Sequence, residues 1–231
     1  MKSTDYKTEK QAHTYAQYRF DKGLSQVSQD ELNLLNRWLS DLGKWRLFTD
    51  LGSGTGRVLP ILLKYSPKKI IVVDQSDAML GQLQKEFAKE IKNKQIKVVK
   101  TFSDRTSLRP NSMDVVTAFH LIKHLPEPQP TFREVARILN KDGVFIFDAL
   151  NKNSLVQLNL GTCFATNENS LRKQLAQNAL QIKDFTYLHP LGETIYNLPT
   201  VMLPFVKLVE KLINFILPNL GTKIFVLAAK N

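Results

Sequence analysis

Five short apolar runs divide the first two thirds of the chain: Leu47 to Asp50, Ile70 to Asp74, Ile96 to Val99, Met113 to Ala118 and Val144 to Asp148. Each is too short for a stable helix and shows no polar alternation, which fits strands buried on both faces. Helix-like stretches separate most of them, at Arg57 to Tyr65, Asp77 to Lys89 and Thr131 to Leu139. Neighbouring parallel strands need long crossovers, so the alternation predicts right-handed βαβ units around a parallel sheet. Pro60 falls early in the first of these helices, where a missing amide donor is tolerated.

Ahead of the first run, Ser28 and Glu31 have the spacing of a capping box. Leu32, Leu35, Trp38, Leu39 and Leu42 follow as one helical stripe, and Gly43 suits the exit. These predict a helix starting near Ser28. Neither a repeat nor a low-complexity linker interrupts the 231 residues, and 43% hydrophobic content is ample for one sizeable core. The expected organisation is an N-terminal helical lid region over 1–43 and a ligand-binding domain over 44–231, with a helical insertion at 191–220. A net charge of +11 favours anionic surroundings without naming one. Lys85, Lys89, Lys92, Lys94, Lys97 and Lys100 are spaced as an ordinary solvated face around Phe87 and Ile91. The single cysteine, Cys163, cannot form an internal disulfide, Met1 to Lys10 is too polar for a secretory signal, and no run approaches the roughly 18 apolar residues that span a bilayer. The expectation is a cytoplasmic protein, with peripheral membrane contact an open alternative.

The first run leads straight into Asp50-Leu51-Gly52-Ser53-Gly54-Thr55-Gly56, ahead of a helix. Glycines at every second position allow unusual backbone angles and close approach of a ligand to the main chain. The spacing is not that of a dinucleotide loop: starting at Gly52 the last glycine position holds Arg57, and starting at Gly54 it holds Leu59. No Gly-Lys-Ser/Thr follows, so the phosphate loop of nucleotide hydrolases is also excluded. Asp74 closes the second run, where a carboxylate can accept hydrogen bonds from ribose hydroxyls. A ribose-bearing ligand is indicated.

This loop, with Val72-Val73-Asp74, resembles the class I S-adenosylmethionine-dependent methyltransferases, of the small-molecule type. The resemblance extends through Ser103-Asp104-Arg105-Thr106-Ser107-Leu108, Ser112-Met113-Asp114-Val115-Val116 and the stretch Glu134 to Gly143, covering about 45 to 150. It implies a Rossmann-like, seven-stranded, mostly parallel sheet with helices on both faces, a last strand, Lys223 to Ala229, running antiparallel between the fifth and sixth, and a helical cap before that last strand. It implies S-adenosylmethionine as cofactor and no metal. Asp50 and the backbone of Gly52, Ser53 and Gly54, with Gly56 completing the turn, would hold the methionine moiety, and Asp74 the ribose. Gln75 and Met79 would flank the adenosine, Asp104 would accept the adenine amino hydrogen and Arg105 would offer its amide. Ala118 and Phe119 would lie beside the methionine amino group. Ser103 stands for the usual glycine, Arg105 for a small residue and Asp142 for a turn proline.

A sulfonium methyl is already electrophilic, so transfer rests mainly on alignment, and a base is needed only when the acceptor must lose a proton. His120 and His124, just after the fourth run, are the base candidates, beside the plain reading of polar loop and packing histidines. His13, Tyr15, Tyr18 and Arg19 are candidates for a lid over the cofactor, beside the reading of a surface helix. Phe119-His120-Leu121-Ile122 is not the Asp/Asn-Pro-Pro-aromatic tetrad of nucleic-acid amino methylases, and Cys163 follows Thr162 rather than proline, so nucleic-acid substrates have no strong signal. Leu171 to Leu180 reads as a helix and Ile182 to Leu188 as a strand. From Phe205 to Leu217, Lys207, Glu210, Lys211 and Asn214 leave a wide stripe of Phe205, Val206, Leu208, Val209, Leu212, Ile213, Phe215 and Ile216. Such a helix is expected to cover something apolar: the domain, a dimer partner, a lipophilic acceptor, or a membrane contacted through 205–217. The expected activity is methyl transfer to a small, lipid-like acceptor by a monomer or homodimer; a non-catalytic binding protein and an RNA or protein methyltransferase remain as alternatives.

Overall fold

The computed structural model describes residues 8, 10–14, 22–43, 45–156 and 163–230. The strands, in chain order, are β1 (Leu47–Leu51), β2 (Lys69–Asp74), β3 (Ile96–Lys100), β4 (Met113–Ala118), β5 (Leu139–Asn151), β6 (Ala165–Thr166), β7 (Leu180–Leu188) and β8 (Lys223–Lys230). They form one sheet in the order β3-β2-β1-β4-β5-β8-β7, with the short β6 beside the end of β5. β8 runs antiparallel to both β5 and β7, as expected, while β1 to β5 are mutually parallel. The two-residue β6 makes eight strands where seven were expected.

Alternate residues of each strand enter opposite cores. Phe48, Ile70, Val72, Val115, Ile146 and Phe225 pack on one face against Leu35, Trp38 and Leu39 of α1 (Lys22–Leu42) and Leu59 and Leu62 of α2 (Leu59–Lys64). Ile71, Val73, Val116, Phe145, Phe147 and Val226 pack on the other against α5 (Gln129–Ile138) and α6 (Glu168–Ala176). This two-sided burial is why the strands read as continuous apolar runs rather than alternating ones. Phe145 stacks on Phe147 at 4.5 Å between ring centres, and both meet Phe132 of α5.

The helix expected over Asp77 to Lys89 breaks at Phe87, whose backbone leaves the helical region (φ −106°, ψ 30°), into α3 (Asp77–Glu86) and α4 (Ala88–Lys92), with the Phe87 ring packed near Gly56. All six lysines of the 85–100 cluster are exposed, as a solvated face requires. One expectation fails. The helix α1 begins at Lys22, not at Ser28, so Ser28 and Glu31 are interior helical residues and both are buried. A three-residue spacing recurs throughout any helix, and here it marks one inward face rather than a cap. The insertion carries α7 (Leu203–Ile216), and among the described residues its apolar stripe is covered only at Val206. Phe205, Leu208, Leu212, Phe215 and Ile216 are exposed, while Val206 and the carboxylate Glu210 face inward, toward Tyr196 and the start of α1.

Candidate functional site

β1 delivers the chain into three residues with left-handed backbone, Gly52 (φ 63°), Gly54 (φ 53°) and Gly56 (φ 90°). Side chains would be strained at all three, but for different neighbours. A Cβ on Gly52 would lie 2.8 Å from Leu121, and one on Gly56 would lie 2.7 Å from the Phe87 ring; one on Gly54 would project into open space. Gly54 therefore leaves room on the ligand side of the loop. Its amide donates to Asp74 Oδ2 at 2.8 Å, the Ser76 amide donates to Asp74 Oδ1 at 2.9 Å, and the Ser53 amide donates to the Val73 carbonyl at 3.1 Å. The loop and the end of β2 are thus one hydrogen-bonded unit. Burial raises the Asp74 pKa, offset in part by the Ser76, Gly54 and Gln75 amides. With three amides directed at it, the Asp74 carboxylate keeps acceptor capacity for one further hydroxyl.

A cavity of about 850 Å³ opens over this unit at the C-terminal edge of the parallel strands, the edge where such sheets take ligands. Gly52, Gly54, Asp74, Gln75, Met79, Ser103, Arg105, Phe119, His120 and His124 all line it. Asp50, Ser53, Gly56, Asp104 and Ala118 do not reach its wall. Asp50 is buried behind the loop, where its Oδ1 accepts from the Thr117 hydroxyl at 2.7 Å. Burial dominates there, against the Thr117 hydrogen bond and Arg57, and brings its carboxyl up to about 7. The Asp104 carboxylate is exposed, 3.7 Å from Arg105 Nε. The Arg105 guanidinium stacks on Phe102 at 4.4 Å, so the side chain that replaces a small residue lies along the rim. The Ser103 hydroxyl is 2.9 Å from that of Thr131. Tyr18 and Arg19, with Tyr15, lie outside the described residues.

Behind His120, one of the expected base candidates, lies a buried ionic cluster whose other members do not line the cavity. His120 has left-handed backbone (φ 60°), and its amide donates to Asp148 Oδ1. Its Nε2 lies 2.9 Å from Glu31 Oε2, and its Nδ1 lies 3.4 Å from the Lys123 ammonium. Glu31 also meets Arg57 Nη1 at 2.6 Å and Lys223 Nζ at 2.5 Å, and Lys223 pairs in turn with Glu193. Burial alone would raise the Glu31 pKa, but Lys223, His120 and Arg57 together hold it well below the carboxylate range. Asp148 is pushed up by burial, with Lys223 opposing, and its Oδ2 has no hydrogen-bond partner. Asp148 had one legible signal, an acidic residue ending an apolar run. Glu31 and Lys223 had none, because only the fold brings them together. His124 sits on the rim, its imidazole crowded enough that desolvation, and then Lys123, brings its pKa down to about 4.

A doubly wound sheet, a glycine turn braced by the acid of the next strand and a cleft at the carboxyl edge define a nucleotide-type ligand fold. Residues 49–147 match the family described as a methyltransferase domain. The chain is 28% identical over 132 residues to a malonyl-[acyl-carrier protein] O-methyltransferase of Marinomonas sp., covering 57% of this chain and 48% of that protein. It is 35% identical over 57 residues to a ubiquinone biosynthesis O-methyltransferase of Neisseria meningitidis, covering 25% and 24%. The chain thus spans about half, or less, of the curated relatives it matches. Among solved structures, a Haemonchus contortus phosphoethanolamine N-methyltransferase 2 in complex with phosphomonomethylethanolamine and S-adenosylhomocysteine has the same fold, with a TM-score of 0.69 at 17% identity over 98% of this chain and 58% of that one. Residues 49–147 thus match a methyltransferase domain, and the fold is the one seen in solved methyltransferase structures.

Proposed function

We propose that the protein transfers the methyl group of S-adenosylmethionine to an oxygen of a small, lipophilic acceptor. The observation that carries this reading is one cavity lined by the Asp74 carboxylate, the open side of Gly54 and two histidines. The residues suit the cofactor: Asp74 would take a ribose hydroxyl, Met79, Val73 and Phe102 would enclose the adenine, and the loop amides would face the methionine moiety. The bound cofactor supplies an electrophilic methyl carbon, and the protein's task is alignment and exclusion of water.

At the acceptor end, His120 would be the base: its Nε2 lies against Glu31, and its Nδ1, 3.4 Å from the Lys123 ammonium, would receive the acceptor's hydroxyl proton in exchange for that contact. Glu31 then faces an imidazolium and stabilises it. His124 is uncharged at neutral pH and accepts a hydrogen bond from the same hydroxyl, orienting it. Both curated relatives carry O-methyltransferase names, which supports oxygen as the atom methylated. Apolar Leu121, Leu125 and Phe119 between the histidines and the loop support a lipophilic acceptor, a molecule that resides in or on a bilayer. Ala12 is fully buried against Ala78 and Met79, which supports a lid formed by the N-terminal residues.

The test is transfer of labelled methyl from S-adenosylmethionine to a polyprenyl hydroquinone, a catechol and an acyl-carrier thioester with a free carboxylate. Label in at least one product, lost on His120→Ala by about 10²-fold or more, is expected. Saturable binding of S-adenosylhomocysteine with transfer to none of the three would overturn the catalytic reading in favour of a binding protein.

A further inference from the structure

Helix α7 turns its amphipathic pattern inside out. Glu210 is buried, accepting hydrogen bonds from the Tyr196 hydroxyl at 2.5 Å and from the Leu191 amide at 3.4 Å, and Val206 joins Leu24, Val27 and Tyr196 in a small core. The opposite side carries the large apolar residues. Val201 is 82% exposed, Phe205 65%, Leu208 55%, Leu212 54%, Phe215 87% and Ile216 69%, with Met202 and Leu217 more than two-fifths exposed. Leu155, also nearly half exposed, adjoins the end of the helix through its amide's hydrogen bond to the Leu220 carbonyl. Large apolar side chains exposed in such number on and beside one helix exceed the scattered single residues that are ordinary on a monomer surface.

The charges around the stripe select the occupant. Between Leu198 and Leu220 the only carboxylate is Glu210, and it faces inward. At 3.6 residues per turn, Lys211 and then Lys207 lie along one border of the apolar arc. Lys211 is exposed, and Lys207, 40% exposed, reaches Asp30 at 3.2 Å. A convex apolar ridge with Phe near each end, bordered by lysine and carrying no exposed acid, on a chain of net charge +11, is the composition of a helix lying in an anionic interface. The fold also sets its direction. The strand that follows α7 begins at Lys223, which pairs with Leu150 at the carboxyl end of β5, so the whole insertion stands on the edge of the sheet where the cavity opens.

We propose that the outward face of α7 is a docking surface for an anionic phospholipid bilayer, seated with Phe205, Leu212 and Phe215 at acyl-chain depth and Lys211 at the headgroups. The surface follows from α7 itself and stands whatever the acceptor is; where the lipophilic-acceptor reading also holds, docking brings the cavity's edge to the membrane that stores the acceptor.

The experiment is vesicle flotation of the full chain, without cofactor, on phosphatidylcholine vesicles with and without 30% phosphatidylglycerol. Binding to the anionic vesicles is expected, weaker by fivefold or more on pure phosphatidylcholine and weakened by salt. Phe205→Ser/Phe215→Ser should reduce partitioning at least tenfold, and Lys211→Glu about fivefold or more, since a lysine near an anionic surface is worth about fivefold. These side chains do not line the cavity, so affinity for S-adenosylhomocysteine, measured by calorimetry, should stay unchanged and report the intact fold. No flotation with phosphatidylglycerol, or equal flotation of the double Phe variant, would overturn the proposal. So would a lipid-free dimer in sedimentation equilibrium that the double variant dissociates, which would assign the face to a second copy of the chain. Flotation without methyl transfer leaves the docking surface standing and sinks only the catalytic reading.

Discussion

At one end of the cavity Asp74 is braced by Ser76 and Gly54, partners two and twenty residues away along the chain; at the other, His120 is held by Glu31, 89 residues away, and Glu31 by Lys223, 192 residues away. The first end is a strand, a turn and the next strand, assembled from amides and a carboxylate within one βα unit and its neighbour. The second depends on α1, the turn after β4 and the first residue of β8 being in place together. A local device of this kind is set by a motif, whereas an ionic cluster spread over the whole chain is an outcome of folding, and its members are replaceable only as a set.

The sharpest way to break that contrast is Glu31→Ala. Lys223, Arg57 and His120 would lose their shared buried anion, and removal of one partner from such a site costs about 3–5 kcal/mol. Urea denaturation should show that loss, while a variant within 1 kcal/mol of the parent would mean the cluster is solvated and dispensable. A pH titration separates the two ends next, because they carry opposite signs. His189, packed against Tyr196 beside the cluster, has its pKa brought down to about 4 by burial and then by Lys223. Between about 4 and its ordinary 6.5 the unfolded chain binds more protons, so stability falls as pH drops through that window, by on the order of 2–3 kcal/mol. Asp50 runs the other way. Its carboxyl rises to about 7, the folded chain holds the extra proton, and stability falls as pH rises from about 4 to 7. His189→Asn should flatten the acid limb and Asp50→Asn the other, each followed by thermal melts across pH 4 to 8.

Asp74→Ala is expected to weaken S-adenosylhomocysteine binding by ten- to a hundredfold, the value of about 1.5–3 kcal/mol for hydrogen bonds to a charged group, with the protein still folded. Unchanged affinity by calorimetry would remove Asp74 from the ribose. The smallest effect belongs to Ser76, whose hydroxyl accepts from the Met79 amide at 3.3 Å to cap α3. Ser76→Ala should cost about 1 kcal/mol and leave the Glu31 cluster untouched, which a double variant with Glu31→Ala would report as additive losses.

All five apolar runs proposed as strands are strands, and the glycine turn with Asp74 forms the near wall of the cavity. Burial on both faces leaves its mark as an unbroken apolar stretch, and a left-handed turn leaves its mark as glycine, so both are written in consecutive residues. Ser28 and Glu31 had the right spacing for the wrong reason. An acid three positions after a serine looks the same at a helix start and on the inward face of a longer helix, and only the positions of Arg57, His120 and Lys223 distinguish them.

The stripe on α7 shows the same limit from the other side. Its periodicity was plain, yet periodicity states that one face is apolar without stating which way that face points. That choice was made by Tyr196, which offers Glu210 a buried hydroxyl and so turns the carboxylate inward and the phenylalanines out. The chain by itself determined the sheet, the turn and the carboxylate that closes the second strand, because each depends on neighbours in sequence. Only the tertiary structure decided which charges gather behind His120 and which face of the last helix meets the surroundings, because those depend on side chains that sequence separation conceals and packing brings within 3 Å.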